Sequence, residues 1–248
     1  MRTSMKGLMA LALFSVSAPA FAQDAAETDP PSEFTVTGGV TIVSDYRFRG
    51  ISFSAEDPAI QGTFNVNHSS GLYVGVWGSS IDDTPVYGHT EIDIYAGYTT
   101  EVASGTIVDV GLLYYYYPNG SDAFGNSDYF EPYASIKTTI GPVTAKLGAA
   151  YAFDQSALAG DNIYVFTDLT AGIPDTPVTL AAHLGYSDGS LSPGGNYFDW
   201  SVGADVALGS GLTAGVRYID TDIDQLTAIP AIDTLYDETI LFTLGVSF

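Results

Sequence analysis

The sequence predicts an all-β fold, a transmembrane antiparallel β-barrel of about 12 strands with both termini on the periplasmic side. Three observations predict it. Apolar and polar residues alternate with period two over most of the chain after residue 22, as in strands whose two faces meet different surroundings. Tight turns rich in Gly, Ser and Pro alternate with longer links, as at the two ends of an outer-membrane barrel. Nothing after residue 22 is apolar for long enough to cross a bilayer as a helix. A soluble β-sandwich would also alternate. The export signal, the asymmetry of turns and links, the aromatic belt and the terminal Phe248 favour the membrane barrel.

The chain begins with an address label. Residues 1–22 carry Arg2 and Lys6, an apolar run from Leu8 to Phe14, and small residues ending in Ala20-Phe21-Ala22. This is the pattern of a cleaved secretory signal peptide, and the run is too short for a membrane anchor. Residues 23–33 are polar and acidic and contain Pro30-Pro31, which predicts a flexible acidic segment. Residues 34–248 form the barrel. Without the signal, five basic residues face 29 acidic ones. Such a balance excludes nucleic acid as a partner, because phosphates need Lys and Arg. The absence of Cys excludes a disulfide framework, a thiolate metal site and a lipid-modified N-terminal Cys. A hydrophobic share of 46% argues against general disorder despite the acidity.

The alternation places strands near 34–49, 58–68, 72–82, 89–100, 106–117, 128–140, 143–153, 162–173, 177–187, 197–208, 211–220 and 237–248. Two segments show it best. Phe198, Trp200, Val202, Ala204, Val206 and Leu208 share one face, and Asp199, Ser201, Gly203 and Asp205 the other. At the C-terminus Ile240, Phe242, Leu244, Val246 and Phe248 share a face. Phe242, Leu244, Val246 and Phe248 are therefore the expected insertion signal for barrel assembly machinery. Tight turns are expected at 69–71, 101–105, 141–142, 174–176 and 209–210, and longer links at 50–57, 83–88, 118–127, 154–161, 188–196 and 221–236. Tyr46, Phe48, Tyr114, Tyr115, Tyr116, Tyr117, Tyr151, Phe153, Tyr186, Tyr197 and Tyr218 crowd the strand ends on the link side, as an interfacial girdle would.

Three runs carry a family likeness: Ser44-Asp45-Tyr46-Arg47-Phe48-Arg49-Gly50-Ile51-Ser52, Pro58-Ala59-Ile60-Gln61-Gly62, and Gly71-Leu72-Tyr73-Val74-Gly75-Val76-Trp77-Gly78-Ser79. Over residues 34–82 the chain resembles the TorF-type porin family, bacterial outer-membrane proteins long grouped as conserved proteins of unknown function. The resemblance implies an outer-membrane barrel with a pore. It carries no substrate and no catalytic residue to this chain.

If the apolar faces meet lipid, the opposite parity lines the lumen. All five basic residues fall there: Arg47, Arg49, Lys137, Lys146 and Arg217. So do eight acids, Asp45, Glu91, Asp93, Asp109, Glu131, Asp168, Asp199 and Asp205. A charge on the lipid face would cost roughly 2–4 kcal/mol at mid-membrane, so this placement is coherent. These charges read either as a selectivity eyelet or as an internal network that braces a blocked barrel. Asp45, Arg47 and Arg49 are expected at successive inward positions of the first strand. Arg47 and Arg49 there either hold an anionic solute, or Arg47 pairs with Asp45 at the seam. The excess of acids predicts a weak cation preference.

Enzyme chemistry has little support. His68, His89 and His183 fall in no catalytic pattern, and no G-x-S-x-G occurs. Asp220-Thr221-Asp222-Ile223-Asp224 resembles half of a calcium loop but lacks its Gly and final Glu. No metal and no cofactor is implied. The link 221–236 either folds inward or stands as an exposed flap. The expected function is a narrow passive channel for small polar or ionic solutes in the bacterial outer membrane. Its partners are outer-membrane lipid and lipopolysaccharide. A non-conducting barrel for envelope structure or surface contact is the alternative, and an outer-membrane hydrolase a more distant one.

Overall fold

The computed structural model describes residues 32–248 except 122, 124 and 225–233. The signal peptide and most of the 23–33 segment lie outside the described residues. In chain order the strands are β1 (Phe34–Val43), β2 (Arg47–Phe48), β3 (Ile51–Ser52), β4 (Ala59–His68), β5 (Leu72–Thr84), β6 (Gly88–Ala103), β7 (Thr106–Tyr116), β8 (Tyr129–Ile140), β9 (Val143–Ala152), β10 (Asn162–Gly172), β11 (Val178–Gly189), β12 (Asn196–Gly209), β13 (Leu212–Thr221) and β14 (Thr239–Ser247). Twelve of them form one closed antiparallel barrel, in which each strand pairs with its sequence neighbours. The remaining two, β2 and β3, pair only with each other.

Closure runs through β1, which pairs with both β4 and β14. Val40 lies opposite Val246 on one side and Gly62 on the other. The ladder continues to the last residue, where Gly38 and Phe248 exchange backbone hydrogen bonds of 3.0 and 2.9 Å. No wall strand is left with a free edge, as apolar surroundings demand.

The alternation sorts side chains as the pattern predicts. On β12 Phe198, Val202 and Leu208 are exposed while Asp199 and Asp205 are buried. On β14 Phe242, Leu244, Val246 and Phe248 all face outward, with Phe248 76% exposed. The barrel is apolar outside and charged inside, the reverse of a soluble fold. β1 begins and β14 ends at the side that carries the short turns, 69–71, 104–105, 141–142, 173–177 and 210–211. The other end carries the longer links, with one exception. The link after β5 is only residues 85–87, because β5 and β6 run on past the wall as a tall hairpin.

The first strand departs from expectation. It ends at Val43, not at residue 49, and residues 44–58 leave the wall and fold into the barrel mouth. There β2 and β3 form a miniature hairpin with Arg47 opposite Ser52 and Phe48 opposite Ile51. Arg49 and Gly50, with φ of 51° and 82°, make its two-residue turn. Positive φ at both positions marks a type I′ turn, whose twist suits a hairpin. A Cβ on Gly50 would lie 2.5 Å from Thr221 Cγ2 and 2.9 Å from Asp199 Cβ, so the hairpin tip presses on the wall at β12 and β13. Period-two alternation persists through the hairpin, which is why the sequence reads as one long strand.

Aromatic packing and one buried arginine hold the inner hairpin. Tyr46 packs on Trp77 of β5 with ring centroids 5.3 Å apart, and Phe48 on Tyr115 of β7 at 5.8 Å. Fully buried Arg47 pairs with Asp45 through Nε and donates to the carbonyls of Gly50, Leu235 and Asp237 at 3.2, 3.0 and 3.0 Å. Asp45 also accepts from the hydroxyls of Ser52 and Ser54 at 2.7 and 3.1 Å. The aromatic girdle is therefore only partly a girdle. Tyr116, Tyr151, Phe153 and Tyr218 face outward, whereas Tyr46, Tyr115, Tyr117 and Tyr197 are buried inside around the hairpin.

Removing one partner of a buried ion pair leaves the other charge uncompensated, at a cost of roughly 3–5 kcal/mol. Arg47→Met should therefore lower the unfolding stability of the refolded barrel in urea by that order. Wild-type stability in the variant would mean that the Asp45–Arg47 pair does not anchor the hairpin.

Candidate functional site

Beneath the inner hairpin the lumen holds a cavity of about 180 Å³. Its roof is Phe48, Arg49 and Gly50 from the hairpin, and its walls are inward positions of β7 through β13. Of the predicted lumen residues, Arg49, Asp109, Glu131, Lys146, Asp168, Asp199 and Arg217 line it. Glu91 and Asp93 also point inward, but they are sealed off beneath the hairpin and the buried tyrosines, and Asp45 and Arg47 are buried within the inner segment itself. None of these four lines the cavity. Asp205 is buried against Arg217, and Lys137 is a half-buried inward neighbour of Lys146.

The roof is clamped by Arg49. Its Nη2 meets both oxygens of Glu131 on β8, at 2.8 and 2.7 Å. The guanidinium lies 4.2 Å above the Tyr164 ring of β10 and 4.7 Å from the Phe48 ring. Tyr197 of β12 donates to the Arg49 carbonyl at 3.0 Å. Burial opposes the Arg49 charge, but Glu131 beside it more than offsets this, so its pKa is raised above the ordinary arginine value. One side chain thus ties the hairpin tip across the lumen. Both arginines are ion-paired, Arg47 with Asp45 and Arg49 with Glu131, while Arg47 Nη2 and Arg49 Nη1 are buried without a hydrogen bond to a described residue.

A second network adjoins the first through Tyr164 and is centred on His183 of β11. Its Nδ1 lies 2.6 Å from Asp168 Oδ1, and its Nε2 lies 3.0 Å from Asp199 Oδ1 and 2.8 Å from the Tyr164 hydroxyl. Tyr164 also donates to both oxygens of Asp199 at 3.2 and 3.1 Å. Gly185 makes the space: a Cβ there would sit 2.1 Å from the Tyr164 hydroxyl and 2.4 Å from Asp199 Oδ2. Ser201 is directly opposite His183 in the sheet register. Both ring nitrogens already face other polar groups, so neither is left to activate that serine. Elsewhere Arg217 donates to Asp205 Oδ2 at 2.7 Å, and Tyr73 donates to Asp109 Oδ1 at 2.6 Å.

The inner hairpin was not foreseen in the sequence. Its one local signal is Arg49-Gly50 between alternating residues, a pair that tolerates positive φ less readily than Asn-Gly. The candidate inward link at 221–236 falls mostly outside the described residues. Within it, Asp222 accepts from the Phe198 backbone N–H at 2.6 Å, and just before it Asp220 accepts from the Tyr218 hydroxyl at 2.8 Å. These two acids cap local groups.

The chain belongs to the family described as bacterial protein of unknown function (Gcw_chp), which it matches over residues 27–248. No curated protein matches it. Among solved structures it is similar to a KdgM porin, with TM-score 0.57 and 8% identity, over 86% of this chain and 98% of that one. It is likewise similar to a NanC porin, with TM-score 0.57 and 13% identity, over 86% and 99%. An outer membrane channel from Pseudomonas putida F1 matches with TM-score 0.50 and 13% identity, over 89% and 99%. At these identities the likeness is one of fold.

Charge-assisted hydrogen bonds contribute roughly 1.5–3 kcal/mol, so weakening the Arg49 clamp should raise the detached fraction of the hairpin about ten- to a hundredfold. Limited trypsin digestion of the folded barrel reads this out. Glu131→Gln should become cleavable after Arg49 while Lys137, Lys146 and Arg217, in the wall strands, stay protected. Equal resistance in variant and wild type would show that the clamp is dispensable.

Proposed function

We propose that this chain is a narrow outer-membrane channel of porin type, passing small polar or ionic solutes passively with a weak preference for cations. One observation carries the reading: a closed barrel whose outer surface is apolar and whose interior is charged. Such a surface suits lipid, and such an interior suits water and ions. The fold-level likeness to porins and the resemblance of residues 34–82 to TorF-type porins support the same reading. Export by the 1–22 signal would deliver the chain to the bacterial outer membrane. Its apolar belt would meet lipid and lipopolysaccharide, and the terminal strand with Phe242, Leu244, Val246 and Phe248 would be read by assembly machinery. The end with the short turns and both termini would then face the periplasm.

The cation preference rests on what remains after pairing. Arg47, Arg49 and Arg217 are each matched by an acid. Glu91, Asp93, Asp109, Asp168 and Asp199 then stand against Lys137, Lys146 and the bridging His183. The field is weakly negative. Its effect is muted because Glu91 and Asp93 are sealed away from the cavity. The hairpin roof makes the passage narrow, and solutes must pass beside Arg49.

Planar-bilayer recording of the refolded chain tests the reading. Small steady openings are expected, with a reversal potential on the cation side under a salt gradient. Replacing the hairpin tip by Phe48→Ala with Arg49→Ala should enlarge the conductance. A correctly folded barrel that stays silent, with and without the hairpin tip, would move the function to envelope structure or surface contact. The membrane face has its own check. Val202, 58% exposed on β12, should tolerate Arg only at a cost of roughly 2–4 kcal/mol in folding into lipid vesicles. Unchanged stability of Val202→Arg would argue against a lipid-facing surface.

A further inference from the structure

Lys137 of β8 and Lys146 of β9 are directly opposite each other in the sheet register and share the inward face. Residues so placed have Cβ atoms about 4.5–5.5 Å apart, and like charges there repel. Neither ammonium makes an ion pair or hydrogen bond with any described residue. Lys146 Nζ lies 5.1 Å from the Phe166 ring centroid and lines the cavity.

The neighbouring acids are already committed. Asp168, opposite Lys146 on β10, turns its carboxylate to His183 Nδ1 at 2.6 Å. Asp109 accepts from Tyr73 at 2.6 Å, and Glu131 from Arg49 and Tyr115. The contrast with the lumenal arginines is sharp: all three are paired with a carboxylate, and among the described residues neither wall lysine is. The two ammonium groups therefore lie close together without a salt bridge of their own to a described residue, with Asp109 and Asp168 as the acids beside them.

We propose that Lys137 and Lys146 form an anion subsite that takes the carboxylate of a small hydroxylated monocarboxylic acid, a sugar acid being the type. The two ammonium groups present rotatable donors to one carboxylate from adjoining strands, and the bound charge relieves their mutual repulsion. The surrounding wall selects for the rest of the molecule. Asp109, Asp168 and the Tyr133 hydroxyl offer polar partners to solute hydroxyl groups. The same carboxylates oppose a dianion such as phosphate. The subsite deepens the channel reading, because it supposes that solutes reach the lumen.

The whole chain contains only three lysines, Lys6, Lys137 and Lys146. Reductive methylation with isotope-labelled methyl groups keeps the lysine charge and gives each a separate magnetic-resonance signal. Lys137→Arg and Lys146→Arg identify the two lumenal signals. Sodium gluconate is titrated into the refolded full-length barrel in detergent, with sodium chloride at matched ionic strength, glucose and sodium phosphate as comparisons. Saturable shifts of both lumenal signals by gluconate are expected, with none from glucose and only unsaturating drift from chloride. Lys146→Met should weaken the gluconate effect at Lys137 by about tenfold or more, since the carboxylate loses one of two charged donors. Absent shifts, or the same response to chloride, would overturn the proposal, and tighter binding of phosphate would overturn its ligand class. The outcomes separate from those of the channel reading. Gluconate saturation in an electrically silent barrel would leave the subsite and remove the channel. Open channels whose lysines ignore gluconate would do the reverse.

Discussion

Every backbone donor and acceptor in a wall with an apolar exterior must find its partner inside the wall, because nothing outside can supply one. The rest of the structure follows from that constraint. It forces the twelve wall strands into a closed ring. It makes the seam between β1 and β14 as important as any turn, and it extends pairing to Phe248, the last residue. It also makes register absolute. A slip of one residue would turn Asp199, Asp205, Lys146 and Arg217 outward and Phe198, Val202 and Leu208 inward. The strict alternation in the sequence is the record of this requirement.

A closed ring solves the wall and leaves the interior to be filled. A barrel of twelve strands lies between rings that side chains fill and rings that stay open. Here part of the space is taken by residues 44–58. The inner hairpin brings its own aromatic surface to the inward tyrosines and its own charges to Glu131 and to the carbonyls of Leu235 and Asp237. Arg47 and Arg49 divide the labour. Arg47 fastens the base of the hairpin to the segment before β14, and Arg49 fastens the tip to the far wall. The consequence is a lumen sealed over Glu91 and Asp93 and open over Asp109, Asp168 and Lys146.

Interior charges thus serve two ends in one chamber. Arginines with planar forks are matched to single carboxylates and brace the structure. His183 gathers Asp168, Asp199 and Tyr164 into a second brace across β10, β11 and β12. Lys146, a compact charge on a flexible stem, is left facing the space. In the channel we propose, the paired groups keep the shape and the unpaired ones meet the solutes.

Alternation, turn residues and the terminal apolar face by themselves determined the twelve wall strands, their order and their inward and outward faces. Those are local properties, because a strand's period of two is written residue by residue. The boundaries from β4 to β14 lie within about three residues of the alternation pattern for the same reason. The destination of residues 44–58 was decided only by tertiary structure. A strand that continues the wall and a hairpin that dives into the mouth share the same period. What separates them is the inward aromatic surface assembled from β5 and β7, and Glu131, more than eighty residues on from Arg49. The pairing of charges was equally out of reach, because parity says which residues face the lumen but not which partner each one meets across it.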